Sequence, residues 1–425
     1  MRTGTATAVG KPGRYWLETL GCPKNQVDSD KVCGTLLADG MTPASAPEQA
    51  DLVVVNTCAF IEAARQESIE TILALSDSVS PGARLVVTGC MAQRYGAELA
   101  EALPEVDLVA GFGVPVTLGT RPGAAPSLDL LNLARPPATA PWAYVKVAEG
   151  CDRRCGFCAI PSFRGPQRSR TQDSILQEVR ELGVKEVVLV AQDLASYGRD
   201  AGRGGAIVDL VSAVAAQVER VRLLYLYPSS LTGGLLDAIC ATGVPYFDLS
   251  LQHASAPLLR RMRRWGNGSR FLDRIGDIRS REPDAALRSS FIVGYPGETE
   301  EDHDALLSFL EEANLDWVGL FAYSREEGTF AAELPDQVPA SLVAERLSEC
   351  GEIADAITAR RRAELVGREM LVLVDSPGVG RSHREAPEID GIVSVPRSLA
   401  VGSFARVLVT AAEGPDLVAA PARVA

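Results

Sequence analysis

Short apolar blocks alternate with longer amphipathic ones along the first quarter of the chain. The segments "RYWLETLG" (14–21), "ADLVVVNT" (50–57), "ARLVVTG" (83–89) and "VDLVAG" (106–111) have the length and β-branched content of buried strands. Between them, text such as "AFIEAARQESIETILALSDS" has a helical period. That alternation predicts a parallel α/β sheet. The stretch "TRPGAAPSLDLLNLARPPATAP" (120–141) has neither period and reads as a linker. From Trp142 the pattern restarts with "WAYVKVAEG", "KEVVLVAQD", "VRLLYLYP", "YFDLSLQ", "ALRSSFIVG" and "WVGLFAYS", each followed by a plausible helix. Six such units predict a full or partial (β/α) barrel, closed by a helix over 340–365. The tail switches to short alternating strands, "EMLVLVDS", "DGIVSVP" and "SFARVLVTAAEG", the pattern of a small OB-like β-barrel. The expected fold class is therefore multidomain α/β. Its expected parts are an α/β domain over 13–122, a linker over 123–140, a barrel over 141–363 and a terminal β-barrel over 364–425.

Composition changes this picture little. Of 425 residues, 46% are hydrophobic and 23% charged, enough apolar material for cores that need no disulfide staples. No run is long enough for a transmembrane helix, and "MRTGTATAVGKPGRYW" lacks the apolar stretch of a signal peptide. A cytoplasmic location is expected, with no membrane partner. Thiols stay reduced there, so the nine cysteines read as ligands, reactive groups or core residues. The net charge of −13 leans away from a protein that grips phosphates and towards a basic protein partner.

The candidate chemistry lies in two cysteine triplets. In "EGCDRRCGFCAIPSFRG" (149–165), Cys151, Cys155 and Cys158 follow the first barrel strand, where a (β/α) barrel builds its active face. Three soft thiolates suit iron–sulfur or zinc. A cubane cluster wants four ligands, so three leave one iron open for a small molecule. The alternative is a structural zinc borrowing a distant fourth ligand, but the only histidines, His253, His303 and His383, are far away in sequence. The second triplet is Cys22, Cys58 and Cys90, in "LGCPKN", "VNTCAF" and "VTGCMA". Each stands at a predicted strand end, and the carboxyl ends of parallel strands share one ligand-binding edge. Cys33, Cys240 and Cys350 lie in helical text and read as small core residues.

The pattern C-x-x-x-C-x-aromatic-C, with Phe157 before Cys158, resembles the signature of radical S-adenosylmethionine enzymes. The resemblance implies a [4Fe–4S] cluster on Cys151, Cys155 and Cys158 whose open iron chelates S-adenosylmethionine. Reductive cleavage of that molecule to a 5′-deoxyadenosyl radical then requires a separate electron donor. It implies cofactor contacts from Phe157, from Gln192 and Asp193 in "AQD" (191–193), and from Gly294 and Glu298 in "FIVGYPGE" (291–298). Two triplets followed by a small β-barrel resemble the methylthiotransferases, with a TRAM-like tail, over nearly the whole chain. Cys22, Cys58 and Cys90 would then hold a second [4Fe–4S] cluster that carries the sulfur to be inserted.

Within that family, "LGCPKNQVDSD", "AQDLASYGRD" and "EAPEIDGIV" resemble the RimO type, which modifies the β-carbon of an aspartate in small-subunit ribosomal protein twelve. The MiaB type, acting on an adenosine of tRNA, is the alternative within the same chemistry. A non-catalytic iron–sulfur carrier is the alternative outside it. From Glu364 onward the tail holds six arginines against eight acidic residues, poor material for gripping RNA. It is expected to dock the basic ribosomal protein through Glu385, Glu388 and Asp390, and to be separable from both cluster sites. The basic run "RRMRRWG" (260–266) is expected to be a solvated helix end.

Overall fold

The structure is a computed structural model that describes residues 13–118 and 129–422. Residues 1–12, on which the signal-peptide reading rests, and the first part of the expected linker lie outside the described residues. The chain forms two compact units. The first runs to Pro136 and takes in Ser162–Arg164; the second holds Pro137–Pro161 and everything from Gly165.

The first unit is a five-stranded sheet of β1 (Arg14–Thr19), β2 (Thr42–Pro43), β3 (Leu52–Thr57), β4 (Arg84–Gly89) and β5 (Leu108–Ala110). All pairs are parallel, in the order β2-β1-β3-β4-β5. The chain steps one way from β1 to β2 and the other way to β3, so the order reverses at β1/β3. That is the switch point where such sheets bind ligands. Every residue of the central strand β3 is buried, as a parallel strand covered on both faces requires. Three helices connect the strands: α1 (Pro23–Ala38), α2 (Glu62–Ser78) and α3 (Cys90–Ala102). The four strands expected from the sequence are present. The two-residue edge strand β2 carried no apolar block and was not expected.

The second unit begins with β6 (Trp142–Lys146) and a small antiparallel ladder of β7 (Ala148–Glu149) and β8 (Arg168–Ser169). In sequence the five-residue helix α4 (Ile160–Arg164) lies between them, and its last three residues count with the first unit. The remaining strands are β9 (Glu186–Val190), β10 (Arg220–Leu223), β11 (Tyr246–Gln252), β12 (Ala286–Val293) and β13 (Trp317–Ala322). They pair in parallel as two three-stranded sheets, β6-β9-β10 and β11-β12-β13, joined by a single parallel bridge between Leu226 and Leu249. The result is a six-stranded partial barrel. One apolar core, including Val145, Leu189, Leu223, Leu249 and Leu287, fills the space between strands and outer helices.

The tail is a closed barrel of β14 (Glu369–Ser376), β15 (Val379–Arg381), β16 (Val393–Ser394), β17 (Phe404–Glu413) and β18 (Asp416–Pro421). Its core includes Val372, Val407 and Leu417. Its link from β15 to β16 runs beneath the amino-terminal ends of the large barrel's strands, and this corrects the expectation for "EAPEIDG". Arg381 and Arg222 both bond the Glu186 carboxylate, at 3.1 and 2.9 Å. Tyr144 donates to the Pro387 carbonyl, and Trp317 Nε1 to that of Arg384. The Glu385 side chain is fully buried against Arg362 at 2.5 Å. Asp390 accepts from Tyr246 Oη at 2.6 Å and pairs with Arg288 at 3.4 Å. Two of the three acidic residues expected to face a partner therefore hold the tail on the barrel, and only Glu388 is exposed. Buried carboxylates need partners, and Glu385 and Asp390 find them inside the protein.

Candidate functional site

In the first unit Cys58 and Cys90 directly follow β3 and β4, and Cys22 lies three residues after β1. These strands are neighbours, so the three cysteines share one edge of the sheet beside the switch point. Gly21 shows how close the loops come. It sits at φ +94°, and a Cβ there would lie 2.8 Å from Cys58 Cβ and 3.0 Å from Cys58 Sγ. Asn25, on the first turn of α1, gathers the site. Its backbone N–H donates to the Cys22 carbonyl, and its Nδ2 to the carbonyls of Leu20 and Thr57. Its Oδ1 accepts from Arg164 at 2.8 Å and lies 3.5 Å from Cys90 Sγ. Arg164 also donates to Cys90 Sγ at 3.0 Å. Burial raises the pKa of the Cys22 thiol, but Lys24 and Arg164 outweigh it and leave the value below that of an ordinary thiol. Burial, with Cys22 close by, pushes Cys58 up to about 12. Burial also raises Cys90, against the pull of Arg164. Metal binding to such thiols releases protons as the cost of forming thiolates.

In the second unit Cys151, Cys155 and Cys158 occupy the loop between β7 and α4. Gly150, at φ +77°, lets this loop leave the ladder; a Cβ there would strike the Pro166 carbonyl at 2.1 Å. The loop is clamped by Cys151 N–H to the Gly165 carbonyl, Gly156 N–H to that of Met262, and Ala331 N–H to that of Gly156. Burial raises Cys151 to about 11 and Cys158 to about 12. Gln192 and Asp193, just past β9, come to the same end. Gln192 Nε2 donates to Glu149 Oε1 at 2.8 Å. Asp193 Oδ2 accepts from Arg153 Nε at 2.7 Å, and Arg153 stacks on Tyr227 at 3.8 Å. Gln192 Oε1 and Asp193 Oδ1 are buried with no partner among the described residues. Two orphaned acceptors beside three thiols suit a cationic ligand group such as an ammonium. Phe157 packs on the barrel core. Gly294 and Glu298 meet each other, the Gly294 N–H donating to Glu298 Oε2 at 2.7 Å, while Arg346 holds the other oxygen at 2.9 Å.

The histidines point elsewhere. His253 Nδ1 accepts from the Ser255 N–H, His303 meets Glu349, and His383 donates to the Asp284 carbonyl. Among the described residues no three His, Cys, Asp or Glu side chains gather around one ion position. That is the requirement of a single metal ion, not of a cluster whose thiolates each bind a different iron. Both triplets fit a cluster bound by three thiolates.

Sequence reasoning missed the basic residues at these sites. Arg264 lies in the run expected to be a solvated helix end, yet it donates to Cys155 Sγ at 3.3 Å and covers the Tyr227 ring at 4.0 Å. Arg153 and Arg164 stand near Cys151, Cys155 and Cys158 in sequence, with no local signal that marks them as site residues. Nothing in an isolated sequence says which arginine turns inward. Cys33 and Cys240 are partly buried against apolar cores, and Cys350 is fully buried.

Comparison with known proteins places the chain in a family. Residues 14–111 match the Uncharacterized protein family UPF0004, residues 145–310 the Radical SAM superfamily and residues 366–421 the TRAM domain. The structure resembles that of the radical S-adenosylmethionine methyltransferase TsrM from Kitasatospora setae, solved with cobalamin and a [4Fe–4S] cluster. The TM-score is 0.50 and the identity 14%, over 92% of this chain and 80% of that one. A ribosomal protein uS12 methylthiotransferase RimO from Saccharopolyspora erythraea is 42% identical over 96% of this chain and 95% of its own. Another, from Moorella thermoacetica, is 44% identical over 89% and 91%. At that identity, across nearly the whole of both sequences, this chain belongs to the RimO family of radical S-adenosylmethionine methylthiotransferases.

Proposed function

We propose that this methylthiotransferase adds its group to the β-carbon of an aspartate in ribosomal protein uS12, using two [4Fe–4S] clusters. Cys151, Cys155 and Cys158 would hold the one that meets S-adenosylmethionine, and Cys22, Cys58 and Cys90 the other. The division of labour follows the expected domains: residues 13–122 for the second cluster, 141–363 for radical chemistry and 364–425 as a brace beneath the barrel. The observation that carries the reading is the pair of converging triplets, each of three cysteines, on a chain whose relatives are named for uS12. When bound, the clusters and S-adenosylmethionine supply the electron, the radical and the sulfur.

The chain's own residues bind and orient. The orphaned oxygens of Gln192 and Asp193 would accept from the ammonium of the methionine moiety, and their lack of a partner among the described residues supports that role. Arg153 holds Asp193 in place, and Glu298, committed to Gly294 and Arg346, shapes the turn "GYPGE" rather than reaching into solvent. Holding reacting atoms close and dry is what a protein adds to cofactor chemistry. Mass spectrometry of uS12 and of bulk tRNA from a deletion strain tests the substrate. Loss of a methylthio mass from uS12 is expected. Its retention there, with loss from tRNA, overturns the reading.

A further inference from the structure

We infer that Arg164 is a positioning residue of the first thiol site. It fixes Cys90 through a charged N–H···S bond and raises the potential at which a cluster on Cys22, Cys58 and Cys90 accepts an electron. This rests on the assignment of that triplet under the proposed function.

The side chain is built into the site rather than laid over it, being only 3% exposed. Nη1 donates to Asp28 Oδ2 at 3.1 Å, and Asp28 is itself 2% exposed. Nη2 donates to Asn25 Oδ1 at 2.8 Å and to Cys90 Sγ at 3.0 Å. The guanidinium plane lies over the Phe112 ring at 4.6 Å. A structural ion pair would be complete with Asp28 alone. The second nitrogen instead spans a thiol and the one amide that also bonds the ends of the Cys22 and Cys58 strands. Arg164 therefore reaches all three cysteine loops, one directly and two through Asn25. Only a planar fork can serve carboxylate, amide and sulfur together; an ammonium is a point charge on a flexible stem. Hydrogen bonds to cluster sulfurs and nearby positive charge favour the reduced, more negative state.

The test uses the full chain with Cys151→Ala, Cys155→Ala and Cys158→Ala, reconstituted anaerobically with iron and sulfide so that only the first site is loaded. Arg164→Gln and Arg164→Lys are made in that background. Dithionite titration followed by electron paramagnetic resonance reads the midpoint potential, and iron analysis reads occupancy. The Gln variant is expected to lower the reduction constant about tenfold, about 59 mV for one electron. The Lys variant should shift the same way by less and keep its iron. Potentials equal to that of the Arg164 parent in the iron-retaining variants overturn the inference and leave the function reading intact. If the Gln variant sheds its iron, the Lys variant decides by the same criterion. A parent that holds no iron overturns the assignment of the triplet, and this inference with it.

Discussion

Gly21 shows how one residue can decide a site. Its φ of +94° costs an L-residue roughly 1–2 kcal/mol, and an added Cβ would press on Cys58. Gly21→Ala is expected to lose the iron of the first triplet while the second keeps its own, with a lowered melting temperature; iron analysis checks it, and full iron content would refute it. The three cysteines outside the triplets should behave oppositely. Cys33→Ala, Cys240→Ala and Cys350→Ala should each retain all iron and cost about 1 kcal/mol, the loss of a small side chain. Iron loss in any of them would redraw the ligand sets. The convergence of Cys22, Cys58 and Cys90 was legible because one candidate ligand type recurs at strand ends. The arginines beside them were not, since Arg260 and Arg264 are alike in the sequence while only Arg264 meets a thiol.

At the scale of elements, the segment between β15 and β16 is where structure most changed the reading. Glu385 and Arg362 are both buried, so Glu385→Ala leaves an unpaired interior charge and should cost roughly 3–5 kcal/mol in urea unfolding. A loss below about 1 kcal/mol would mean the pair behaves as a surface one. Deleting the tail removes its contacts with the barrel and should destabilise the barrel. Glu186, at the start of β9, is buried yet held down to about 2 by Arg381, Arg222 and Arg220. Its folded pKa lies below its unfolded value near 4.5. The stabilisation it provides is therefore present above pH 4.5 and lost as pH falls from there towards 2. Glu186→Gln should flatten that acid limb, measured as unfolding free energy against pH; an unchanged slope would refute it. Asp390, raised to about 6 by burial, acts the other way, removing stability as pH rises through 4 to 6.

For the whole molecule, two triplets imply about eight irons per reconstituted chain, since each cubane has four. Replacing Cys151, Cys155 and Cys158 together by Ala should halve the iron; zinc in place of iron in anaerobically purified protein would refute both sites. By itself, the sequence determined the main strands, their α/β order and the OB-like tail, and it singled out the two cysteine triplets as candidates. Each of these is carried by local period or by residue type at a strand end, which reads the same in any surroundings. Tertiary structure alone decided the strand order that puts β1, β3 and β4 side by side, the opening of the large barrel and the choice of inward-facing arginines. It alone decided that "EAPEIDG" braces the barrel instead of greeting a partner. These depend on contacts between residues far apart in the chain, where a charge looks the same whether it will meet water or a buried counter-charge.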